Sequence, residues 1–565
     1  MAHLGSIFQV LGLLSGIVSV ALYGVGFYKG KGNFSTYAKF SKALMLFFLF
    51  CAVLCLCSAV FSDNFNLRYV AVYSDRTLPF FYKISVLWAG QSGALLVACL
   101  VICCFSVIAS KSKFLLKDKY ACAEGFVSTI FIVLFLSLSV FVVNPFVCMD
   151  FIPANGRGLS PLLQNMYIFF YPIFVCFWVS GALIIFSRAT AALAVKNLSS
   201  FWIKSCRGWI YFSWFSLIGA IIFKSLWMYN ASGTLWKWTI EETICILSLF
   251  ALLAFIHTSS AYLTRGRMKT AVFLSTMLFF QWALLLLYIV HSGSETGINP
   301  FKYTYCGSYF LGAMVFFFLL FVLLLNNNKK SFTVSKAQIG SREYYFYKIV
   351  NICFALAMLF IFCLLFLNIF YGSHHGADKY YFVLIVPGAL LCVFFIFESF
   401  FCPLFIDSKA NKSKTPFIVA YLGLLSVILV AIIGYIGKWE GEIMIHPNQS
   451  IEINGLTIVD NGVSSVQKYN YVSTFVDISL SYDKKMIGNI YPEIRGYNNS
   501  NILFAETKTI VSGLGVISAA FLSYDFSTNE ARLLIMSRPF VLAMIPGIFV
   551  FVLGVFGAVW SNRND

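Results

Sequence analysis

The sequence predicts an all-α polytopic membrane protein of about thirteen transmembrane helices, with a small β domain set before the last of them. Three observations predict it. Mean hydropathy is +0.84 over 565 residues, with 60% hydrophobic and only 11% charged residues, which is more apolar surface than one soluble core can hide. Apolar runs long enough to cross ~30 Å of hydrocarbon, roughly 20 residues each, recur along nearly the whole chain. One segment, 438–534, is instead polar and alternates apolar with polar residues, the period of a half-buried strand.

The runs fall near 5–28, 41–62, 84–109, 121–146, 163–186, 208–229, 242–263, 270–291, 306–326, 348–371, 381–406, 415–437 and 539–560. The first has neither a charged n-region nor a small-residue cleavage site, so it reads as a retained helix. Cations concentrate in alternate loops: Lys29, Lys31, Lys39 and Lys42, then Lys111 to Lys119, Arg188 to Arg207, Arg265 to Lys269, Lys329 to Lys348 and Lys409 to Lys414. The positive-inside rule places these loops in the cytoplasm and the N-terminus outside. A net charge of +17 spread over separate inner segments is a topology signal and excludes nucleic acid as the expected partner; membrane lipid is the expected surroundings.

This gives a helical domain over 1–437, an outer β domain over 438–534, and a final helix with a cytoplasmic tail over 535–565. Within the β domain, Ile451-Glu-Ile453, Leu456-Thr-Ile458 and Phe475-Val-Asp-Ile478 alternate, with turn signals at Asp460-Asn-Gly462 and Tyr482-Asp-Lys-Lys485; a barrel or sandwich is expected. The sixteen cysteines lie mostly in or beside apolar runs and include no C-x-x-C, so a thiol-disulfide role or a covalent c-type haem on this chain is not expected.

The residues richest in chemical meaning form a Trp-rich loop at about 230–243, Gly233-Thr-Leu-Trp236-Lys-Trp238-Thr-Ile-Glu-Glu-Thr243. Trp236 and Trp238 at a membrane surface are either part of the aromatic belt or a platform for a flat apolar ligand such as a porphyrin. His257 sits about fifteen residues into the following run, roughly 22 Å deep at 1.5 Å per residue. An ionisable group there is a functional candidate, with a neutral imidazole bonded between helices as the competing reading. Tyr421 reaches nearly the same depth from the opposite end of its run, and both residue types can ligate haem iron. His291 closes an outward-going run at the level of the Trp-rich loop. His374 and His375, adjacent in a loop, form either a metal pair or polar loop surface. Glu398, inside an apolar run, is either capped or proton-handling.

Taken together, these residues resemble the CcmF-type cytochrome c haem lyases of the haem-handling superfamily with a Trp-Trp-Asp signature. The resemblance starts at Leu78-Pro-Phe-Phe-Tyr-Lys-Ile-Ser-Val-Leu-Trp88-Ala-Gly90-Gln91-Ser-Gly93 and continues through Asn144-Pro-Phe146 and Pro153-Ala-Asn-Gly156-Arg-Gly158-Leu-Ser-Pro161-Leu-Leu-Gln164-Asn165. It passes the Trp-rich loop and ends at Pro492-Glu-Ile-Arg495-Gly-Tyr497 with Glu506.

The resemblance implies a bacterial inner-membrane protein with a periplasmic N-terminus and a periplasmic β domain that docks partners. It implies that haem b passes from a periplasmic haem chaperone to apocytochrome c, in concert with thiol-handling maturation proteins, by holocytochrome c synthase-type thioether formation. It also implies two haem sites. His291 matches one outer axial ligand and Tyr171 stands at the place of the other; His257 matches one membrane ligand and Tyr421 stands at the other. The iron ligands expected are therefore His291 and His257. Tyr171, Tyr421, Thr239, Ser92 and Ile173 depart from the family pattern, which leaves a non-haem assembly scaffold of the same family as one alternative. A secondary transporter using Glu398 and Lys224 is another, although no inverted repeat accompanies it.

Overall fold

The computed structural model describes residues 2–30, 33–112, 118–232, 240–265, 269–291, 306–332 and 415–561, with short breaks at 469–470, 483–484, 498–502 and 526. Two compact units are present, Met1–Lys224 with Thr239–Met358, and Ser225–Trp238 with Leu359–Asp565.

Among the described residues of the first unit the helices are α1 (Ala2–Lys29), α2 (Phe34–Phe61), the short α3 (Arg68–Tyr73) and α4 (Phe80–Ser85), α5 (Gln91–Ser110), α6 (Asp118–Phe141), α7 (Met166–Ala194), α8 (Phe201–Ser232, whose last eight residues belong to the second unit), α9 (Ile240–Arg265), α10 (Lys269–His291) and α11 (Cys306–Asn327). Among the described residues eight helices are long and apolar enough to cross a membrane, which makes this a multi-pass membrane protein. The expected runs at 348–371 and 381–406 lie outside the described residues. The run expected at 84–109 divides at Gly90: residues before it form α4 and the 3-10 turn Val86–Trp88, and α5 starts only at Gln91.

Small residues set the packing of α1. Its buried positions Gly5, Gln9, Gly12, Gly16, Ser19, Tyr23 and Gly26 recur every three or four residues, giving a face on which α2 and α6 approach closely. Several polar groups along α1 bond between helices, as apolar surroundings favour. Gln9 Nε2 donates to Ser139 Oγ at 3.0 Å, Ser19 Oγ to the Ala38 carbonyl at 2.8 Å, and Ser41 Oγ to the Ser15 carbonyl at 2.7 Å. Farther along, Phe186 stacks on Phe280 with centroids 4.2 Å apart, and Phe131 and Phe317 close the same aromatic core.

The second unit contains α12 (Thr415–Ile436), ten antiparallel strands and α13 (Met544–Ser561). α12 and α13 meet at glycines: a Cβ on Gly423 would stand 2.3 Å from the Phe551 backbone nitrogen and 2.8 Å from the Gly547 carbonyl oxygen. Backbone atoms cannot rotate away, so Gly423→Ala is expected to cost about 1–3 kcal/mol as overpacking, read as a lower unfolding midpoint of the detergent-solubilised protein.

The strands are β1 (Trp439–Ile445), β2 (Ser450–Ile453), β3 (Leu456–Gln467), β4 (Tyr471–Tyr482), β5 (Lys485–Ile490), β6 (Glu493–Tyr497), β7 (Leu503–Glu506), β8 (Lys508–Ser512), β9 (Gly515–Asp525) and β10 (Glu530–Arg538). They form one sheet in the order β1-β10-β9-β8 and another in the order β2-β3-β4-β6-β7, with β5 also on β4. Of the two architectures expected, this is the sandwich. Ile445, Ile458, Val476, Ile478, Leu480, Phe521 and Leu533 fill the space between the sheets. Asn454 and Gly455, both at positive φ, make the tight hairpin turn between β2 and β3. Asp460-Asn-Gly462 is not the expected turn. It is a bulge inside β3, where register with β4 shifts, Asp460 Oδ1 accepts from the Gly462 amide at 2.7 Å, and Gly462 takes φ +122°.

Candidate functional site

The first two segments carrying the resemblance, with the chain just before them, interlock into a cap on the face opposite the cationic loops. Residues 62–79 and 144–165 are laced through backbone hydrogen bonds: Arg68 N to Val147 O at 2.9 Å, Met149 N to Asn66 O at 2.8 Å, Arg157 N to Ala71 O at 2.8 Å and Gly158 N to Ser74 O at 3.1 Å. Gly156 passes so close that a Cβ would lie 2.0 Å from the Ser74 carbonyl oxygen. Tyr69 fixes the entry to α5, donating its hydroxyl to the Val86 carbonyl at 2.7 Å and accepting from the Gly90 amide at 3.1 Å. A Cβ on Gly93 would fall 2.2 Å from that hydroxyl, which is the physical reason for glycine in this motif. Asn165 caps α7 by accepting from the Tyr167 amide at 2.8 Å.

Gln91, at the first turn of α5, donates from Nε2 to the His291 carbonyl at 3.4 Å, so the cap rests on the end of α10. His291 is the last residue of that helix, as expected, but it is buried at 6% exposure. Its ring stacks on Phe310 with centroids 4.6 Å apart, and Nδ1 lies 2.8 Å from the Leu287 carbonyl. A carbonyl can only accept, so Nδ1 carries the proton and Nε2 the lone pair, the tautomer an iron ligand needs. Beside the ring lies an apolar cavity of about 40 Å³, lined by Ala94, Ala98, Cys99, Cys176 and Phe310 together with His291. That is room for roughly one or two water-sized groups. The donor chemistry of His291 fits a haem iron; the cavity itself does not enclose a porphyrin.

Tyr171, on the second turn of α7, has its hydroxyl buried with no hydrogen-bond partner among the described residues. The cation beside it is Lys224 of α8, whose Nζ is 5.4 Å from the ring centroid. Lys224 does not snorkel: it is 5% exposed, pairs with Glu241, and lies 3.6 Å from Glu242. Both carboxylates sit in the first turn of α9, where the helix dipole favours negative charge. The cluster therefore clamps the helices on either side of the Trp-rich loop. Trp236 and Trp238 lie outside the described residues, as do His374, His375 and Glu398. His257 belongs to α9 of the first unit, with its side chain outside the described residues; Tyr421 is buried in α12 of the second.

Sequence reasoning missed the two carboxylates as the partners of Lys224, although Glu241 and Glu242 follow the loop directly. In the second unit, Tyr229 in the last turns of α8 donates to Thr509 Oγ1 of β8 at 2.7 Å, tying the approach to the Trp-rich loop to the sandwich.

The Pro492–Tyr497 motif also has a structural meaning. Glu493 and Glu506 are directly opposite on β6 and β7, a repulsive placement that Arg495 and Lys508 offset. Arg495 Nη2 is 2.7 Å from Glu493 and also pairs with Glu506; Lys508 is 3.0 Å from Glu493 and 3.2 Å from Glu506. Burial opposes the Glu493 charge, but hydrogen bonds from Arg495 and Ser473 outweigh it and hold the carboxyl at about 2, below its usual 4.5. A depressed carboxyl contributes stability above the unfolded value that is lost as pH falls from about 4.5 through about 2. Glu493→Gln is expected to flatten that acid limb, checked by proteolysis of the sandwich segment across pH.

No protein-family profile matches the chain. It is 28% identical over 306 residues to the cytochrome c-type biogenesis protein CcmF of Pseudomonas aeruginosa, covering 53% of this chain and 46% of that protein. It is 30% identical over 244 residues to CcmF of Haemophilus influenzae, covering 42% and 37%. It is 24% identical over 477 residues to the probable biogenesis protein NrfE of Escherichia coli, covering 81% and 83%. The chain spans about half the length of the CcmF relatives it matches. A solved cytochrome c haem lyase CcmF shares the fold at TM-score 0.80 and 17% identity, covering 99% of this chain and 98% of that one.

Fold and site define a polytopic helical membrane protein with an appended antiparallel sandwich and a capped histidine at one membrane face. Within that class, the chain is similar to the CcmF and NrfE cytochrome c-type biogenesis proteins.

Proposed function

We propose that the chain is a haem lyase of cytochrome c maturation in the bacterial inner membrane, with its N-terminus, cap and sandwich on the periplasmic side. The domain limits proposed are 1–437, 438–534 and 535–565, with strand pairing continuing to Arg538. The single observation that carries the reading is the convergence of the resembling segments 78–93 and 144–165 on one cap resting on His291, whose tautomer suits iron.

Haem b would be held at the cap by His291 with Trp236, Trp238 and Tyr171, and a second within the membrane by His257 and Tyr421. Bound haem supplies the vinyl groups that accept two cysteine thiols. The chain's own contribution is orientation: the cap fixes α5 and α10, and the Lys224 clamp fixes the ends of the Trp-rich loop, so that proximity lowers the barrier. The sandwich would receive the haem chaperone, apocytochrome c and its thiol-handling proteins.

The test is covalent haem staining of a c-type cytochrome in cells with and without the chain. Loss of staining without it and return with it are expected; unchanged staining contradicts the reading. The non-haem scaffold is favoured by one observation, the position of the Tyr171 ring beside the Lys224 cation. It predicts that Tyr171→His leaves haem retention unaltered.

A further inference from the structure

Among the described residues of the first unit, three charged side chains lie inside with no place in the haem reading: Lys42 of α2, Glu124 of α6 and Arg188 of α7, each at most 1% exposed. Lys42 belongs, on sequence pattern, with the loop cations; it lies eight residues into α2, roughly 12 Å from the helix start. Glu124 is six residues into α6, roughly 9 Å from its start. Both helix starts lie on the cation-rich face, as does Gly30 after α1, where a Cβ would stand 2.3 Å from Lys119. Arg188 is committed to helix ends, donating to the Ser205 carbonyl and, at 3.3 Å, to that of Ala109.

Lys42 and Glu124 are not committed in this way. Lys42 Nζ donates to Ser128 Oγ at 2.9 Å. Glu124, one turn earlier on the same face of α6, is the opposite charge acting on it. Yet neither Glu124 oxygen has a hydrogen-bond partner among the described residues, and neither does the hydroxyl of Tyr23 from α1. Tyr23 is wholly buried, and its ring centroid is 6.0 Å from Lys42 Nζ. Gly125 brings it there, since a Cβ at that position would lie 2.3 Å from the phenol ring.

A carboxylate, a phenol and an ammonium that face one another in apolar surroundings without direct contact are costly, and small polar molecules relieve the cost. An anion is opposed by Glu124 and a metal cation by Lys42; water satisfies all three. Towards the cation-rich face, polar groups continue through Lys39 and Asp118, the latter 3.5 Å from Ser35 Oγ. In the other direction α6 presents Phe131, Ile132, Phe135 and Leu136, all buried, before Ser139. Among the described residues, Cys103, Tyr120, Cys122 and Cys206 are the further titratable neighbours of the group.

We propose that Lys42, Glu124 and Tyr23 hold internal water and form a proton-exchange site open only to the cation-rich face. A hydronium proton passes to the Glu124 carboxylate, leaving water and a carboxylic acid, and returns by the same route; no proton crosses the membrane. The proposal is independent of haem.

Infrared spectroscopy of the full-length protein in oriented vesicles tests it. Acidifying the cation-rich side should raise a carboxylic C=O band that shifts in D2O and is absent in Glu124→Gln. In Lys42→Met the band should be present already at neutral pH, because Glu124 then takes a proton in place of its counter-charge. Lys42→Met/Glu124→Gln, neutral throughout, is the reference should the single variants misfold, and the wild-type titration needs no variant. No Glu124-dependent band, a band insensitive to D2O, or a band that responds when only the opposite side is acidified would each overturn the proposal.

Discussion

His291→Ala is expected to reduce covalent haem on c-type cytochromes to the level of cells lacking the chain, while the protein still accumulates in the membrane. His291 closes α10 beneath the cap, its Nδ1 proton is engaged by the Leu287 carbonyl, and the ring is held flat on Phe310. Alanine removes the nitrogen that the account assigns to iron and leaves the helix, which does not depend on that side chain, in place. Gln91→Leu should act more weakly, since it loosens the carbonyl contact at 3.4 Å and leaves the imidazole. The check is haem staining normalised to immunodetected protein; equal staining of His291→Ala and wild type would remove His291 from the site.

Lys224→Met should destabilise the first unit by about 3–5 kcal/mol, the range for removing one partner of a buried ion pair. Glu241 and Glu242 would remain in a protein environment without their cation, at 14% and 3% side-chain exposure. The triple variant Lys224→Met/Glu241→Gln/Glu242→Gln should recover most of that loss, because it removes the charges together. Thermal unfolding of both variants in one detergent checks the pattern. A Lys224→Met protein as stable as wild type would mean that the clamp does not hold the flanks of the Trp-rich loop.

The helices were legible because a span needs a continuous apolar run, and runs such as 270–291 and 306–326 match α10 and α11 closely. What hydropathy could not resolve was the neighbour. Val86–Trp88 is as apolar as the helix after it, yet Gly90 divides the run into a cap segment and a span. Lys42 counts as a loop cation by composition but is buried against Ser128; Lys224 can snorkel by position but is captured by the next helix. Asp460-Asn-Gly462 has turn chemistry, and the paired strand β4 absorbed it as a bulge. At the site, motif order pointed to His291, and nothing in the local sequence indicated that Phe310 and Gln91 would bury it.

The most direct test of the account is the pulsed electron paramagnetic resonance spectrum of the ferric protein, purified after haem supply with 15N-labelled histidine. Coupling from an imidazole nitrogen to iron is expected, part of which persists in His257→Ala and is lost in His291→Ala. A haem-loaded protein whose histidine coupling is unchanged by His291→Ala, or one that retains no haem after supply, would contradict it.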